Sequence, residues 1–250
     1  TSINPHYAEA FNNKGAALKD QGKLEEALEA FTRAQEIRGD FSEALNNLAK
    51  TLAEIRFLKP NPSAQHTIMS LIDKKTIVRP RSISPAAKSL LKLEPAVQKL
   101  FLEHSNANLD SSFEEIVYSL SELPLLLKLM AVCPLIDLDF EQAFKHLRSC
   151  ILASIERMPQ DPKFLRFQSA LALQCFNNEY IYGHNPLDTE ALSHLEHLVK
   201  EVFSRDEQPD ASLILCLASF KALNEYEWSN KLSMVPDIRE VFERQVLWPK

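Results

Sequence analysis

Glycine is nearly missing from this chain. Four occur in 250 residues, Gly15, Gly22, Gly39 and Gly183, where average usage of roughly 7% would supply about seventeen. They stand too far apart for a GxGxxG or GxxxxGK loop. That excludes the usual dinucleotide and phosphate cradles, which need glycine so that backbone can close on the ligand. Cysteine is also scarce. Cys133, Cys150, Cys175 and Cys216 have no CxxC spacing, and three of them lie in strongly apolar helical patterns. They read as small buried hydrophobes in a reducing compartment, not as a disulfide framework. No apolar run reaches eighteen residues, so no membrane span is expected. Positive charge is not in excess, the net charge being −6, whereas a non-specific nucleic-acid binder carries a strongly basic face. The one basic run, Lys74-Lys75 to Arg79-Pro80-Arg81, reads as a solvated connector. The opening Thr1-Ser-Ile-Asn-Pro5 is no secretory signal. Without an initiator methionine the chain reads as a fragment, and a cytoplasmic location is expected.

What is present is helical patterning in a composition of 45% hydrophobic and 25% charged residues, ordinary for a soluble protein with a sizeable core. A first helix is predicted from Ala8 through Asp20, a turn at Gln21-Gly22-Lys23, and a second helix over Leu24 to Ile37. Ala27, Phe31 and Ala34 fall on one stripe of that second helix. Gly15 and Ala27 belong where two antiparallel helices cross closely, with Phe11, Leu18 and Phe31 filling the remaining space. Ser42 opens a second unit, with Leu45, Leu48, Ala49 and Leu52 on the equivalent stripe. The prolines of Phe57-Leu-Lys-Pro60-Asn-Pro62 then break the pattern.

Residues 8–41 resemble the tetratricopeptide repeat, a 34-residue helix–turn–helix unit. With Ala8 at position 1, Phe11, Gly15, Leu18, Ala27, Phe31 and Ala34 match positions 4, 8, 11, 20, 24 and 27. Lys14 and Gly39 depart from the usual Leu and Pro. Pro5 falls at position 32 of a preceding repeat, so the chain reads as the end of an array that stops near residue 56. The resemblance implies stacked repeats whose first helices line a groove for a protein or extended peptide. Asn12-Asn13 recurs as Asn46-Asn47. The repeats are similar to those of O-linked N-acetylglucosamine transferases, in which asparagines form a ladder that grips peptide backbone. Carried over, Asn13 and Asn47 hold the ladder position, with Asn12, Asn46 and Lys50 in the same candidate groove. The plainer reading is that these are exposed polar residues of repeat helices.

After a connector over 57–84, containing a short helix from Ser63 to Asp73, the pattern stays helical through 85–250. Ser84-Pro85 reads as an N-cap with proline at the first helical position. Asp110-Ser-Ser-Phe-Glu-Glu115 reads as another start, and Leu123 to Met130 as a buried helix. The longest amphipathic stretch runs from Asp137 to about Met158, closed by Pro159 and Pro162. Helices over Lys163–Asn178, from a cap at Thr189, and over Ala211–Leu223 follow. The turn Gly183-His-Asn-Pro186 separates two of them, and the tail stops at Trp248-Pro249. No series of alternating strands is visible.

Strings within 56–245 resemble the helical region that precedes the catalytic domain in bacterial tetratricopeptide-repeat proteins fused to class I S-adenosylmethionine-dependent methyltransferases. They include Arg56-Phe57, Val78-Arg79-Pro80, Leu123-Pro-Leu-Leu-Leu, Phe140-Glu141 and Ala170-Leu-Ala-Leu-Gln-Cys-Phe-Asn-Asn-Glu-Tyr180. The resemblance implies a possible downstream catalytic domain. The chain itself has no glycine after Gly183 and so no glycine-rich turn for that cofactor. No cofactor is expected.

Chemical constellations are sparse. His194-Leu-Glu-His197 sets two imidazoles on one helix without further ligands, and no metal site is expected. Glu114-Glu115 and Asp137 with Asp139 read as helix-start acids. No serine lies in GxSxG and no catalytic residue is assigned. Gln174, Asn178, Glu179 and Tyr180 cluster at one helix end, either as a polar pocket or as groups closing the helix. The reading is an all-α protein, tetratricopeptide repeats followed by a helical-bundle or capping domain, acting as a non-catalytic protein-interaction or substrate-recruiting module. The alternatives are a methyltransferase whose catalytic part lies elsewhere, and a structural oligomerisation module.

Overall fold

The computed structural model describes residues 5–74, 78–106, 109–158, 160–183 and 186–247. Among these are thirteen α-helices and no strand, so the class is all-α as expected. Lys75, Pro159, the centre of the Gly183–Pro186 turn and Trp248-Pro249 lie outside the described residues. The chain forms two compact units that divide between Glu94 and Pro95. The connector drawn over 57–84 and the first helix of 85–250 both belong to the first unit.

The first unit opens with the hairpin of α1 (Pro5–Asp20) and α2 (Leu24–Ile37). Its turn is a Schellman closure. Lys23 N–H donates to Leu18 O (3.0 Å) and Gly22 N–H to Lys19 O (2.8 Å). Gly22 takes φ +75°, a conformation that a side chain would strain. The helices cross closely at Gly15, where an added Cβ would lie 2.6 Å from two ring carbons of Phe31. Ala27, Phe31 and Ala34 are buried as their stripe predicts. Next, α3 (Ser42–Glu54) packs on α2 through Ala44, Leu45, Leu48 and Leu52.

The repeat pattern stops there for a visible reason. Asn61 caps α4 (Pro62–Asp73) by accepting from Ala64 N–H at 2.9 Å, with Pro62 at the first helical position. On its other side α3 packs not against α4 but against α5 (Pro80–Leu91). Instead, α4 meets α2 through the hydroxyls of Thr32 and Thr67, 3.3 Å apart. The N-cap read at Ser84 is corrected. The helix starts at Pro80 and Pro85 lies inside it. Ile83, Ala86, Ala87, Leu90 and Leu91 make one buried stripe, and its burial outweighs the backbone bond that Pro85 cannot make.

The second unit comprises α6 (Pro95–Ser105), α7 (Leu109–Ser121), α8 (Pro124–Val132), α9 (Leu138–Ala153), α10 (Pro162–Asn177), α11 (Pro186–Ser204), α12 (Ala211–Phe220) and α13 (Arg239–Phe242). At its centre is α10, packed against α7, α8, α12 and α13, with Phe164, Phe167, Leu171 and Cys175 buried. Asp161 caps it by accepting from Lys163 N–H (2.8 Å) and Phe164 N–H (3.4 Å).

Three boundaries differ from the sequence reading: the helix drawn over Ala211–Leu223 ends at Phe220, where Lys221 N–H closes on Leu217 O at 3.1 Å, and two others follow. The helix drawn from Asp137 to Met158 ends at Ala153, where Ser154 N–H turns to the carbonyls of Cys150 and Ile151 (both 3.2 Å), and a single 3-10 turn follows. The helix assigned a cap at Thr189 begins at Pro186, whose fixed φ suits a first helical position.

The C-terminal end of α12 is buried, so its last carbonyls need side-chain donors. Tyr180 Oη donates to Ala218 O (3.1 Å) and Gln245 Nε2 to the same oxygen (3.2 Å). Arg148 Nη1 donates to Ser219 O (3.1 Å). Arg148 is 1% exposed. Its other terminal nitrogen reaches Tyr182 O (3.0 Å) and Gly183 O (3.2 Å), and its guanidinium lies 4.2 Å from the centre of the Phe220 ring. One buried cation thus joins α9, the turn after α10 and the end of α12 through carbonyl acceptors alone.

Candidate protein-binding face

The face shared by α1 and α3 carries the predicted groove residues, and the structure separates them into two roles. Asn12 is corrected from groove residue to internal strut. It is 2% exposed, and both ends of its amide are engaged. Its Nδ2 donates to Glu43 Oε1 (2.9 Å), and its Oδ1 accepts from Asn47 Nδ2 (3.0 Å). This relay ties the two first helices together across the repeat. A second tie, Lys19 Nζ to Glu54 Oε1 at 2.8 Å, joins the other ends of the same helices. The pairing is Asn12 with Asn47, 35 positions apart and so one residue more than the repeat length.

The remaining candidates face outward. Asn13, Asn46 and Lys50 are exposed, and Asn47 is half-buried. Asn13, Asn46 and Lys50 make no hydrogen bond or ion pair with another described residue. Asn47 keeps one N–H and its carbonyl oxygen beyond the relay. An amide presents donor and acceptor together, which matches the alternating groups of an extended peptide backbone. Glu43 stands beside Asn12 on this face, Glu9 pairs with Arg38 Nη1 at 3.4 Å, and Lys50 on α3 is exposed.

The polar residues at the end of α10 resolve as a helix closure. Tyr180 N–H donates to Cys175 O (2.9 Å) and Glu179 N–H to Phe176 O (3.2 Å). Glu179 and Tyr180 take φ of 58° and 57°. This is the Schellman arrangement built without glycine. Gln174 is fully buried. With its amide oriented to suit both neighbours, it donates to Cys133 O (3.2 Å) and accepts from Leu135 N–H (2.9 Å). The pocket reading of Gln174, Glu179 and Tyr180 gives way to these structural roles. Asn178 is different, since both of its amide atoms are buried without a hydrogen-bond partner, a setting that suits an internal water.

Two buried thiols of this unit are held away from the reactive thiolate. Burial pushes the Cys175 thiol up to about 11 and the Cys216 thiol up to about 12, against a weaker opposing pull from Arg148. Burial raises Tyr180, Tyr182 and Tyr226 as well. Of the paired helix histidines, His194 contacts Glu156 (2.8 Å) and His197 contacts Glu201 (3.3 Å), all exposed. Among the described residues, no group of three or more His, Cys, Asp or Glu is placed to hold a metal.

Sequence reasoning passed over one pair, His104 and His146. They are 42 positions apart, and no local motif could have joined them.

Residues 8–41 match the family model of the tetratricopeptide repeat, the same unit that the helix pattern delimits. The matched stretch covers α2 and most of α1. No curated protein matches the chain, and no solved structure matches it. Among the described residues, no helix is long and apolar enough to cross a membrane.

Proposed function

We propose that the chain is a protein-interaction module that captures an extended peptide segment on the α1/α3 face. Asn13 and Asn47 bond its backbone, with Asn46 and Lys50 beside them. The observation that carries this reading is the division of labour on the face. Asn12, Glu43, Lys19 and Glu54 consume their polar capacity holding the two helices together. Asn13 and Asn46 spend theirs on nothing within the described fold. Tetratricopeptide repeats generally mediate protein–protein contacts, and the repeat match covers α2, most of α1 and the turn between them. The module would act without catalysis of its own. The resemblance of 56–245 to the region preceding a methyltransferase domain extends the proposal to recruitment of a protein substrate for such a domain. Four buried free thiols support a reducing, cytoplasmic setting.

The experiment is a peptide array probed with the wild-type chain and with Asn13→Ala/Asn47→Ala. Binding that falls at least tenfold in the double variant supports the ladder. Binding unchanged in that variant, with its helicity intact by circular dichroism, rejects it.

A further inference from the structure

Two histidines from distant parts of the second unit meet ring to ring. His104 lies on the last turn of α6 and His146 in the middle of α9, with their Nδ1 atoms 3.2 Å apart. The ring centroids are 5.4 Å apart and the planes are inclined by 70°. An edge-to-face contact between Phe101 and Phe140, with centroids 5.0 Å apart, packs the same two helices together. The histidines therefore stand on fixed elements, not on loops. Both are partly exposed, so an ion in solvent can reach them.

A neutral pair carries one proton per ring. In the structure as it stands, one Nδ1–H donates to the other Nδ1. If both protons move to Nε2, two Nδ1 lone pairs face the same small space. Tetrahedral zinc with Zn–N of about 2.0–2.1 Å sets two nitrogen ligands roughly 3.3 Å apart. The observed separation already matches that bite, and a small rotation of each ring would aim both lone pairs at one point.

We propose that His104 and His146 form a two-imidazole chelate for a first-row divalent transition ion, Cu²⁺, Ni²⁺ or Zn²⁺, that pins α6 to α9. Imidazole nitrogen suits these ions, whereas Mg²⁺ and Ca²⁺ require oxygen. Among the described residues no group of three or more His, Cys, Asp or Glu is placed to hold a metal, so the two imidazoles are the ligands that the proposal names.

The test is thermal melting of the whole chain at pH 7.5 with zinc chloride alone, in a non-chelating buffer. An ion at about a hundred times its Kd should raise Tm by roughly 5–10 °C, and EDTA should reverse the rise. His104→Gln and His146→Gln should each abolish the rise while keeping the metal-free circular dichroism spectrum. His194→Ala/His197→Ala should retain it. Three results would overturn the proposal: no rise with zinc or nickel, a rise that survives His104→Gln, or a rise lost in the α11 double variant. A rise of the same size with magnesium chloride would also overturn it, since a nitrogen site does not take that ion.

Discussion

Replacing Gly15 by alanine tests the close crossing of α1 and α2. In an ordinary helix interior this change stabilises by about 1 kcal/mol, because alanine loses less backbone entropy. Here the new Cβ would lie 2.6 Å from Phe31 Cδ1 and Cε1, where carbon atoms prefer about 3.5–4.0 Å. The ring must retreat by about 1 Å. It is 1% exposed, in the interior of the unit, where close packing leaves little room to retreat, so the helices must part instead. Such overpacking costs about 1–3 kcal/mol. The strain exceeds the propensity gain, leaving a net loss of about 1–2 kcal/mol. Urea denaturation of the whole chain, followed by circular dichroism at 222 nm, reads this as a lower midpoint. Gly39→Ala is the control. No atom lies within 4 Å of a Cβ there, and its φ is not positive, so it should be neutral or stabilise by about 0.5 kcal/mol. Adding Phe31→Leu to Gly15→Ala should recover part of the loss. If Gly15→Ala proves as harmless as Gly39→Ala, the close approach of the two helices is refuted.

Arg148→Met should cost about 3 kcal/mol or more by calorimetry, because it leaves the carbonyls of Ser219, Tyr182 and Gly183 without a donor. Asn12→Asp should destabilise more than Asn12→Ala, since it sets a carboxylate beside Glu43, and low pH should narrow the difference between the two in melting experiments. His104 has a folded-state value held below its unfolded 6.5, so the unfolded chain takes up the proton first as pH falls. The His104 contribution to stability is therefore full above about 6.5 and declines below it, and His104→Gln should flatten that limb of the stability profile. All four cysteines are buried, so Ellman's reagent should leave native thiols unmodified over minutes and titrate all four in 8 M urea.

Much of the first unit was legible because its signals are local. The Ala27–Phe31–Ala34 stripe, Gly22 in the turn and Gly15 opposite a large ring are each read within one or two helical turns. The backbone then obeys them. The boundaries at Pro80, Ala153 and Pro186 differ from the sequence reading for separate reasons. At Pro80 a buried apolar stripe runs through the Ser84-Pro85 motif; at Ala153 the backbone of Ser154 turns inward before the apolar pattern ends; at Pro186 the fixed φ of proline starts the helix ahead of Thr189. The groove set divides through packing. Asn12 and Asn13 are equivalent as letters, and only the stacking of α3 on the hairpin decides which one faces inward.

Periodicity and composition alone determined that this is a helical protein, that it opens on a repeat and that it lacks a glycine-built nucleotide cradle. Those properties depend on side chains within a few residues of one another. Only the tertiary structure decided that Arg148 would hold three carbonyls without a carboxylate, that Gln174 and Tyr180 would serve closure, and that His104 would meet His146. Each of those contacts joins residues far apart in the chain, and a pairing between distant residues has no signature until helices pack.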